Sequence, residues 1–152
     1  MSHLGCGCPG SMARVIEREE TKQTETAAKA ASELRQWPVQ LHLVPPTAPY
    51  FQNADILISA DCVAFAMGSF HQDLLKGKAI AIACPKLDNT GSYVEKLATL
   101  FRVNQVKSVT VAIMEVPCCR GLDVMVRQAL AQSGKEIPLE TIVIGVNGER
   151  RS

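Results

Sequence analysis

The sequence predicts an α/β domain of three layers, in which a mostly parallel five-stranded sheet carries helices on both faces. Three observations predict it. The 152-residue chain suits one domain, and 47% of its residues are hydrophobic, which is enough for a packed core. Short apolar runs rich in β-branched residues recur along it, as in strands buried on both faces of a parallel sheet. Amphipathic segments separate most of these runs, and such alternation is typical of a doubly wound fold.

The chain divides into two predicted parts. Residues 1–36 are predicted to be a cysteine-containing amino-terminal loop and helix, and residues 37–152 a cysteine-rich α/β domain. Within the first part, a helix is predicted over 12–20. Residues 21–36 are rich in Ala, Lys, Glu and Thr with little apolar periodicity, which predicts a solvated helix or a helical tether.

Each strand and helix of the second part is predicted from its periodicity. The strands are predicted at 39–44, 55–59, 79–84, 107–114 and 141–146, and the helices at 70–76, 92–102 and 121–133. The last two helices carry apolar stripes that we expect in the core, formed by Tyr93, Leu97, Leu100 and Phe101 and by Leu122, Val126, Ala129 and Leu130. Only ten residues, 45–54, join the first two strands, which is short for a helical crossover, so the strand order stays open.

Charge and hydropathy exclude several classes of partner. Sixteen basic and fifteen acidic side chains nearly cancel, so the basic stripe that nucleic-acid binding requires is absent. The longest apolar runs fall far short of the ~20 residues of a membrane helix. Residues 1–10 lack the apolar core of a signal peptide, which predicts a cytoplasmic protein. In that reducing compartment, six cysteines indicate metal binding or catalysis more than structural disulfides.

The cysteines follow the ends of three consecutive predicted strands. Cys62 comes three residues after the second strand, Cys84 ends the third, and Cys118 and Cys119 follow the fourth. The carboxyl ends of parallel strands share one edge of the sheet, where ligands bind, and neighbouring strands are ~4.8 Å apart. We therefore expect these thiols to converge at that edge.

Clustered thiolates suit a small set of chemistries. They are soft ligands that favour iron–sulfur clusters, zinc or copper(I), and four of them satisfy a 4Fe–4S cluster. Adjacent cysteines cannot easily chelate a single ion from an extended segment, which favours iron–sulfur over zinc. The alternative is that each cysteine is a small buried hydrophobe with no metal bound.

Other residues have weaker signals. Cys8 is a reserve ligand, and Arg120 adds a positive charge beside the predicted cofactor. His71 is either a proton donor or ligand at the same edge, or a surface helix histidine. Asp61 and Glu115 flank the cysteine loops, where they either tune the site or only cap and solvate it. The sequence has no Walker loop, Gly-x-Gly-x-x-Gly fingerprint or His-Glu-x-x-His motif.

Several blocks in order resemble a known family. They are Gly-Cys-Pro-Gly-Ser-Met-Ala-Arg at 7–14, Leu-Arg-Gln-Trp-Pro-Val-Gln-Leu-His-Leu-Val-Pro-Pro at 34–46, Cys-Pro-Lys-Leu-Asp at 84–88 and Met-Glu-Val-Pro-Cys-Cys at 114–119. Over nearly the whole chain, this pattern resembles the carboxyl-terminal domain of bacterial and archaeal ferredoxin-type 4Fe–4S binding proteins. Those relatives carry a ferredoxin module with Cys-x-x-Cys-x-x-Cys repeats, which this sequence lacks. The resemblance therefore implies a separate ferredoxin-like or other redox partner protein.

A looser similarity concerns the cysteine-rich domain of heterodisulfide reductase subunits, which bind a non-cubane iron–sulfur cluster. Cys84 is followed after 33 residues by Cys118 and Cys119, as in the first part of that motif. The usual Cys-Cys-Gly is Cys-Cys-Arg-Gly here and the downstream Cys-x-x-Cys is absent, so Cys62 would have to replace it.

These observations predict a redox or electron-transfer protein that binds an iron–sulfur cluster, or another thiolate-bound metal, through Cys62, Cys84, Cys118 and Cys119. One alternative is a metal-independent thiol or persulfide enzyme, or a sulfur carrier, that uses Cys118 and Cys119. Another is a metal-free domain that binds a small molecule. Whether the chain is an enzyme stays open, and so does its oligomeric state, with a homo-oligomer among the options.

Overall fold

Four strands form a single parallel sheet in the computed structural model, which describes residues 12–18 and 29–152. They are β1 (Ala54–Ala60), β2 (Lys78–Ala83), β3 (Val106–Met114) and β4 (Leu139–Ile144). Their order across the sheet is β2–β1–β3–β4, with Ile58 of β1 paired to Ala81 of β2 and to Val111 of β3. Four of the five apolar runs predicted as strands are therefore strands.

The central strands explain the continuous apolar runs in the sequence. Ile56, Leu57 and Ile58 of β1 are consecutive and all fully buried. Because successive side chains of a strand point to opposite faces, both faces of the sheet are covered at this position.

Helical elements lie between the strands, three of them at the predicted places and the first of them at a place where none was predicted. They are α1 (Val63–Ala66), a π-helical turn (His71–Leu75), α2 (Tyr93–Val103) and α3 (Arg120–Ser133), which a 3₁₀ turn (Pro117–Cys119) precedes. α2 and α3 pack against each other, and their predicted stripes are buried except for the half-buried Leu130. None of the helices in the described residues combines the length and apolarity that crossing a bilayer requires.

The direction of the connections changes once across the sheet. The connection from β1 to β2 leads to the β2 edge of the sheet. The connections from β2 to β3 and from β3 to β4 lead towards the β4 edge. Right-handed crossovers then place residues 61–77 on the face opposite α2 and α3. Only short helical elements occupy that connection, so a full helical layer on that face stays a prediction.

The prediction of a strand at 39–44 is wrong. Only Gln40 makes an isolated parallel bridge, to Ile82, and the chain then turns because the Gln40 carbonyl accepts hydrogen bonds from the N–H groups of Leu43 and Val44. Leu41 and Val44 are buried while Leu43 is 66% exposed, a spacing of three that belongs to a turn. The alternation in the sequence suggested a period of two that the backbone does not follow.

The prediction of an amino-terminal helix is also wrong where it can be checked. Residues 12–18 and 29–36 have no regular helical structure, and the rest of the predicted segment lies outside the described residues. Long-range contacts hold the described pieces instead: Arg18 donates to the Asn147 carbonyl at 2.7 Å, and the Gln36 side chain bonds both the N–H and the carbonyl of Ile80. Residues 12–18 and 29–36 make these contacts in an irregular backbone conformation.

The turn after β4 approaches α1 closely. Gly148 has a φ of 93°, and a side chain there would collide with the carbonyl oxygen of Ala66. Glycine is therefore required both for its backbone conformation and for space. The chain then returns along β4, where the Arg151 N–H donates to the Val143 carbonyl and pairs the outer edge of the sheet.

Candidate functional site

The crevice between β1 and β3 is the point where the connections change direction. In open parallel sheets, ligands bind outside the carboxyl ends of the two strands at such a point. Cys62 follows β1, and Cys118 and Cys119 follow β3, so both walls of the crevice carry thiols. Cys84 follows β2, which lies directly beside β1.

The thiol of Cys62 interacts with the groups around it. Although Cys62 as a residue is exposed, partial desolvation of its sulfur raises the pKa of the thiol, and the nearby Cys84, Asp61 and Cys118 raise that pKa further. These electrostatic effects require the groups to be near one another. Cys84 and Cys118, which lie on two other loops, are therefore close enough to Cys62 to act on its thiol.

Cys118 and Cys119 form the buried part of the site. Cys119 is only 7% exposed, and this burial raises the pKa of its thiol to about 11, while a hydrogen bond with the backbone of Met114 acts in the opposite direction. The neighbouring Cys118 thiol, and Cys62 across the crevice, raise this pKa further. All four cysteines in the described part of the chain are free thiols.

The loops after β2 and β3 touch each other. A Cβ atom on Gly121, in the first turn of α3, would lie 3.4 Å from Cβ of Pro85, which directly follows Cys84. This contact brings the Cys84 loop against the start of α3 by packing, independently of any charge effect.

Asp88 holds the Cys84 loop in place. Its Oδ2 accepts hydrogen bonds from the Cys84 N–H at 3.0 Å and from the Tyr93 hydroxyl at 2.5 Å, while its own N–H donates to the Cys84 carbonyl at 2.9 Å. Burial and the bond to Asp88 raise the pKa of Tyr93, so this hydroxyl stays a donor at neutral pH. Neither residue was predicted to belong to the site, because Tyr93 was expected only in the core stripe of α2 and the backbone hydrogen bond that closes the loop from Cys84 to Asp88 has no signal in the sequence.

Asp61 lies at the junction of the β1 and β2 tips. Its N–H donates to the Ala83 carbonyl at 3.1 Å, while its Oδ1 is buried and accepts no hydrogen bond. Burial first, and the charge of Asp88 second, raise the pKa of this carboxyl group.

The other predicted site residues are not gathered in this way. The Nδ1 of His71 accepts a hydrogen bond from the Glu33 N–H at 3.0 Å, and its ring lies against Phe70. Arg120 begins α3 with an exposed side chain, and no described contact joins either residue to a thiol. Cys8 lies outside the described residues.

The amino-terminal segment 12–18 reaches the same edge of the sheet. Arg14 pairs with Glu115 at 3.9 Å, just after β3, and Arg151 pairs with the same carboxylate at 3.3 Å. Glu115 therefore serves as an anchor between the two ends of the chain.

The four thiols are neighbours without forming a site for a single ion. Across residues 12–18 and 29–152, no three His, Cys, Asp or Glu side chains have the arrangement that one metal ion needs. Electrostatic interaction extends further than shared coordination, so both observations hold together.

Comparisons with known proteins agree with this architecture. A family model described as a Rossmann-like domain matches residues 48–150, which include all four strands and the four cysteines of the site. An uncharacterized protein of Archaeoglobus fulgidus is 34% identical over 116 residues, which cover 76% of this chain and 81% of that protein. No solved structure matches the chain significantly. The chain therefore belongs to the Rossmann-like domain family.

Proposed function

We propose that this chain is a cytoplasmic redox or electron-transfer protein that holds an iron–sulfur cluster at the carboxyl edge of its sheet. The candidate ligands are Cys62, Cys84, Cys118 and Cys119, with Cys8 in reserve. The observation that carries the proposal is that Cys62, Cys84 and Cys118 come just after three neighbouring parallel strands, at the edge where the crevice between β1 and β3 opens.

The donor set fits such a cluster better than it fits one ion. Thiolates are the usual ligands of iron–sulfur clusters, which distribute their ligands over several irons and therefore tolerate wider spacing between sulfur atoms. When bound, the cluster would supply one-electron transfer with a ferredoxin-like or other redox protein as partner.

The chain itself would position and charge the ligands. Asp88 fixes the Cys84 loop through two hydrogen bonds, and the amino terminus of the 14-residue α3 favours an anionic sulfur at Cys119. Because the Cys119 pKa is about 11, binding at that residue would release a proton near neutral pH.

Anaerobic reconstitution tests the proposal. The full chain, purified without oxygen and supplied with iron and sulfide, should bind roughly four of each and show a broad thiolate-to-iron absorption band. A Cys62→Ser variant should lose most of the iron, whereas Cys6→Ser serves as the matched control and should retain it. Comparing Cys8→Ser with that control tests the reserve ligand. A colourless, iron-free wild-type protein would defeat the proposal.

A second function is favoured by the position of Cys118 and Cys119, two adjacent free thiols on one 3₁₀ turn. As a dithiol, this pair could reduce a disulfide of a partner protein. The two thiols would give up two protons and two electrons and form a bond between Cys118 and Cys119, while the partner's sulfur–sulfur bond would break and its two sulfurs would take up those protons and electrons as thiols. This function predicts thiol–disulfide exchange in metal-free protein that is lost in Cys118→Ser and unchanged by chelators.

A further inference from the structure

The most exposed large apolar side chains in the described part of the chain lie at one edge of the sheet. Val15, Phe65 and Leu87 are 93%, 93% and 83% exposed. Phe65 and Leu87 each come three residues after a cysteine of the site. Val15 belongs to the amino-terminal segment that reaches the same edge beside the end of β3. A single exposed apolar side chain is ordinary, but a concentration of them around one site marks an interaction surface.

Hydrogen bonds hold the turns that carry Phe65 and Leu87. In both turns, the residue after the apolar side chain donates its N–H to the carbonyl of the cysteine four positions earlier, at 3.1 Å for Ala66 and 2.9 Å for Asp88. A partner that covers these side chains would bind turns that are already ordered, which lowers the entropic cost of association. The two turns therefore present apolar groups in equivalent places beside two thiols.

The exposed charges that directly follow β2 and β3 are basic. Lys86 is exposed in the loop after β2 and Arg120 is exposed at the start of α3, and that loop contacts the first turn of α3. The carboxylates of Asp88 and Glu115 are bonded within the domain, and one oxygen of Asp61 is buried. An acidic partner would therefore meet positive charge beside the exposed apolar side chains, an arrangement that suits a protein interface.

We propose that this edge is the docking surface for an acidic electron-transfer protein, which covers Phe65 and Leu87 and brings its own redox group close to Cys62. This inference rests on the proposed function and names the chemistry of its redox partner. The apolar contacts would supply affinity, while Lys86 and Arg120 would orient the partner and speed its association. A second copy of the chain fits less well, because a symmetric contact would bring the basic groups of both copies together.

Titration of the full chain with an acidic ferredoxin tests the proposal, in both metal-free and reconstituted protein. At low ionic strength, we expect saturable binding by calorimetry. The double variant Phe65→Ser, Leu87→Ser should weaken it about tenfold, because a few central residues carry most of the energy of an interface. By stopped flow, Arg120→Glu should slow association about tenfold at low salt and much less at high salt. Val103→Ser and Lys107→Glu are matched controls, since both residues are exposed near the amino end of β3, at the opposite edge.

Three results would decide against the docking surface. They are an absence of saturable binding by wild-type protein, equal binding by the edge variants and their controls, and a wild-type dimer that the double variant separates into monomers in analytical ultracentrifugation. In the last case a second copy would occupy the edge. Circular dichroism verifies that each variant is folded. Wild-type protein that binds the ferredoxin but takes up no iron would instead defeat the iron–sulfur function and leave the docking surface in place.

Discussion

The loops after β1 and β3 bring thiols to the same crevice but hold them in different ways. Cys62 is exposed and is followed by α1, which is only four residues long. Cys119 is buried in the core and is followed by the 14-residue α3, which packs against α2. The two walls of the site therefore differ in how firmly the helix that follows each thiol is packed against the rest of the domain.

This difference indicates a division of roles. A long amphipathic helix brings its first residues into the core, so the thiol in front of it is shielded and its pKa rises. A single helical turn buries little, and the thiol in front of it remains accessible to a reactant or a partner protein. The β3 tip is thus suited to anchoring the site, and the β1 tip to exchange with the outside.

The largest expected effect is on stability, and it should separate the two tips. Leu122 in α3 is fully buried, so Leu122→Ala should lower the free energy of unfolding by about 3 kcal/mol. Phe65 in α1 is 93% exposed, so Phe65→Ala should change it by less than about 0.5 kcal/mol. Urea unfolding followed by far-ultraviolet circular dichroism measures both. Equal losses in the two variants would show that the tips are supported alike.

The second effect is on thiol reactivity. At pH 8, a thiol with a pKa of about 11 is ionised in about one molecule in 1,000, and only the thiolate is alkylated. We expect iodoacetamide to label Cys62 on the order of 100 times faster than Cys119 in reduced, metal-free protein. Labelling rates at each site are measured by mass spectrometry of peptides. In urea-unfolded protein the two rates should converge, and comparable rates in the folded protein would refute the contrast.

Local patterns were enough to predict most of the sheet. The apolar residues of β1 to β4 are mostly buried, and those of α2 and α3 form stripes with a helical period, so the sequence displays both patterns directly. The segment 39–44 was mispredicted because two N–H groups donate to the Gln40 carbonyl and form a turn there. The alternation of apolar and polar side chains does not reveal this turn. Residues 12–18 follow contacts with Glu115 and Asn147, more than 100 positions away.

The site was predictable only in outline. Parallel pairing brings strand ends to one edge, so the cysteine positions alone indicate where thiols gather. The role of Asp88 depends on how the loop after Cys84 closes onto Tyr93, and the position of His71 depends on the backbone of the distant Glu33. Such contacts arise from tertiary packing and have no periodic signature.

The smallest effect is on the pH dependence of stability. Cys119 has a pKa of about 11 in the folded chain and about 8.5 when unfolded, so the unfolded thiol loses its proton first as pH rises. The stability contributed by the protonated thiol is complete below about pH 8.5 and is lost as pH rises towards 11. Between pH 7 and pH 10, this single group should lower the free energy of unfolding by about 2 kcal/mol.

Urea unfolding of metal-free wild type and Cys119→Ala at each pH measures the contribution of Cys119, because the other ionisable groups are common to both proteins. Cys62→Ala should reduce the decline less than Cys119→Ala does if the two tips differ as described, whereas parallel pH profiles for wild type and Cys119→Ala would place Cys119 in contact with solvent.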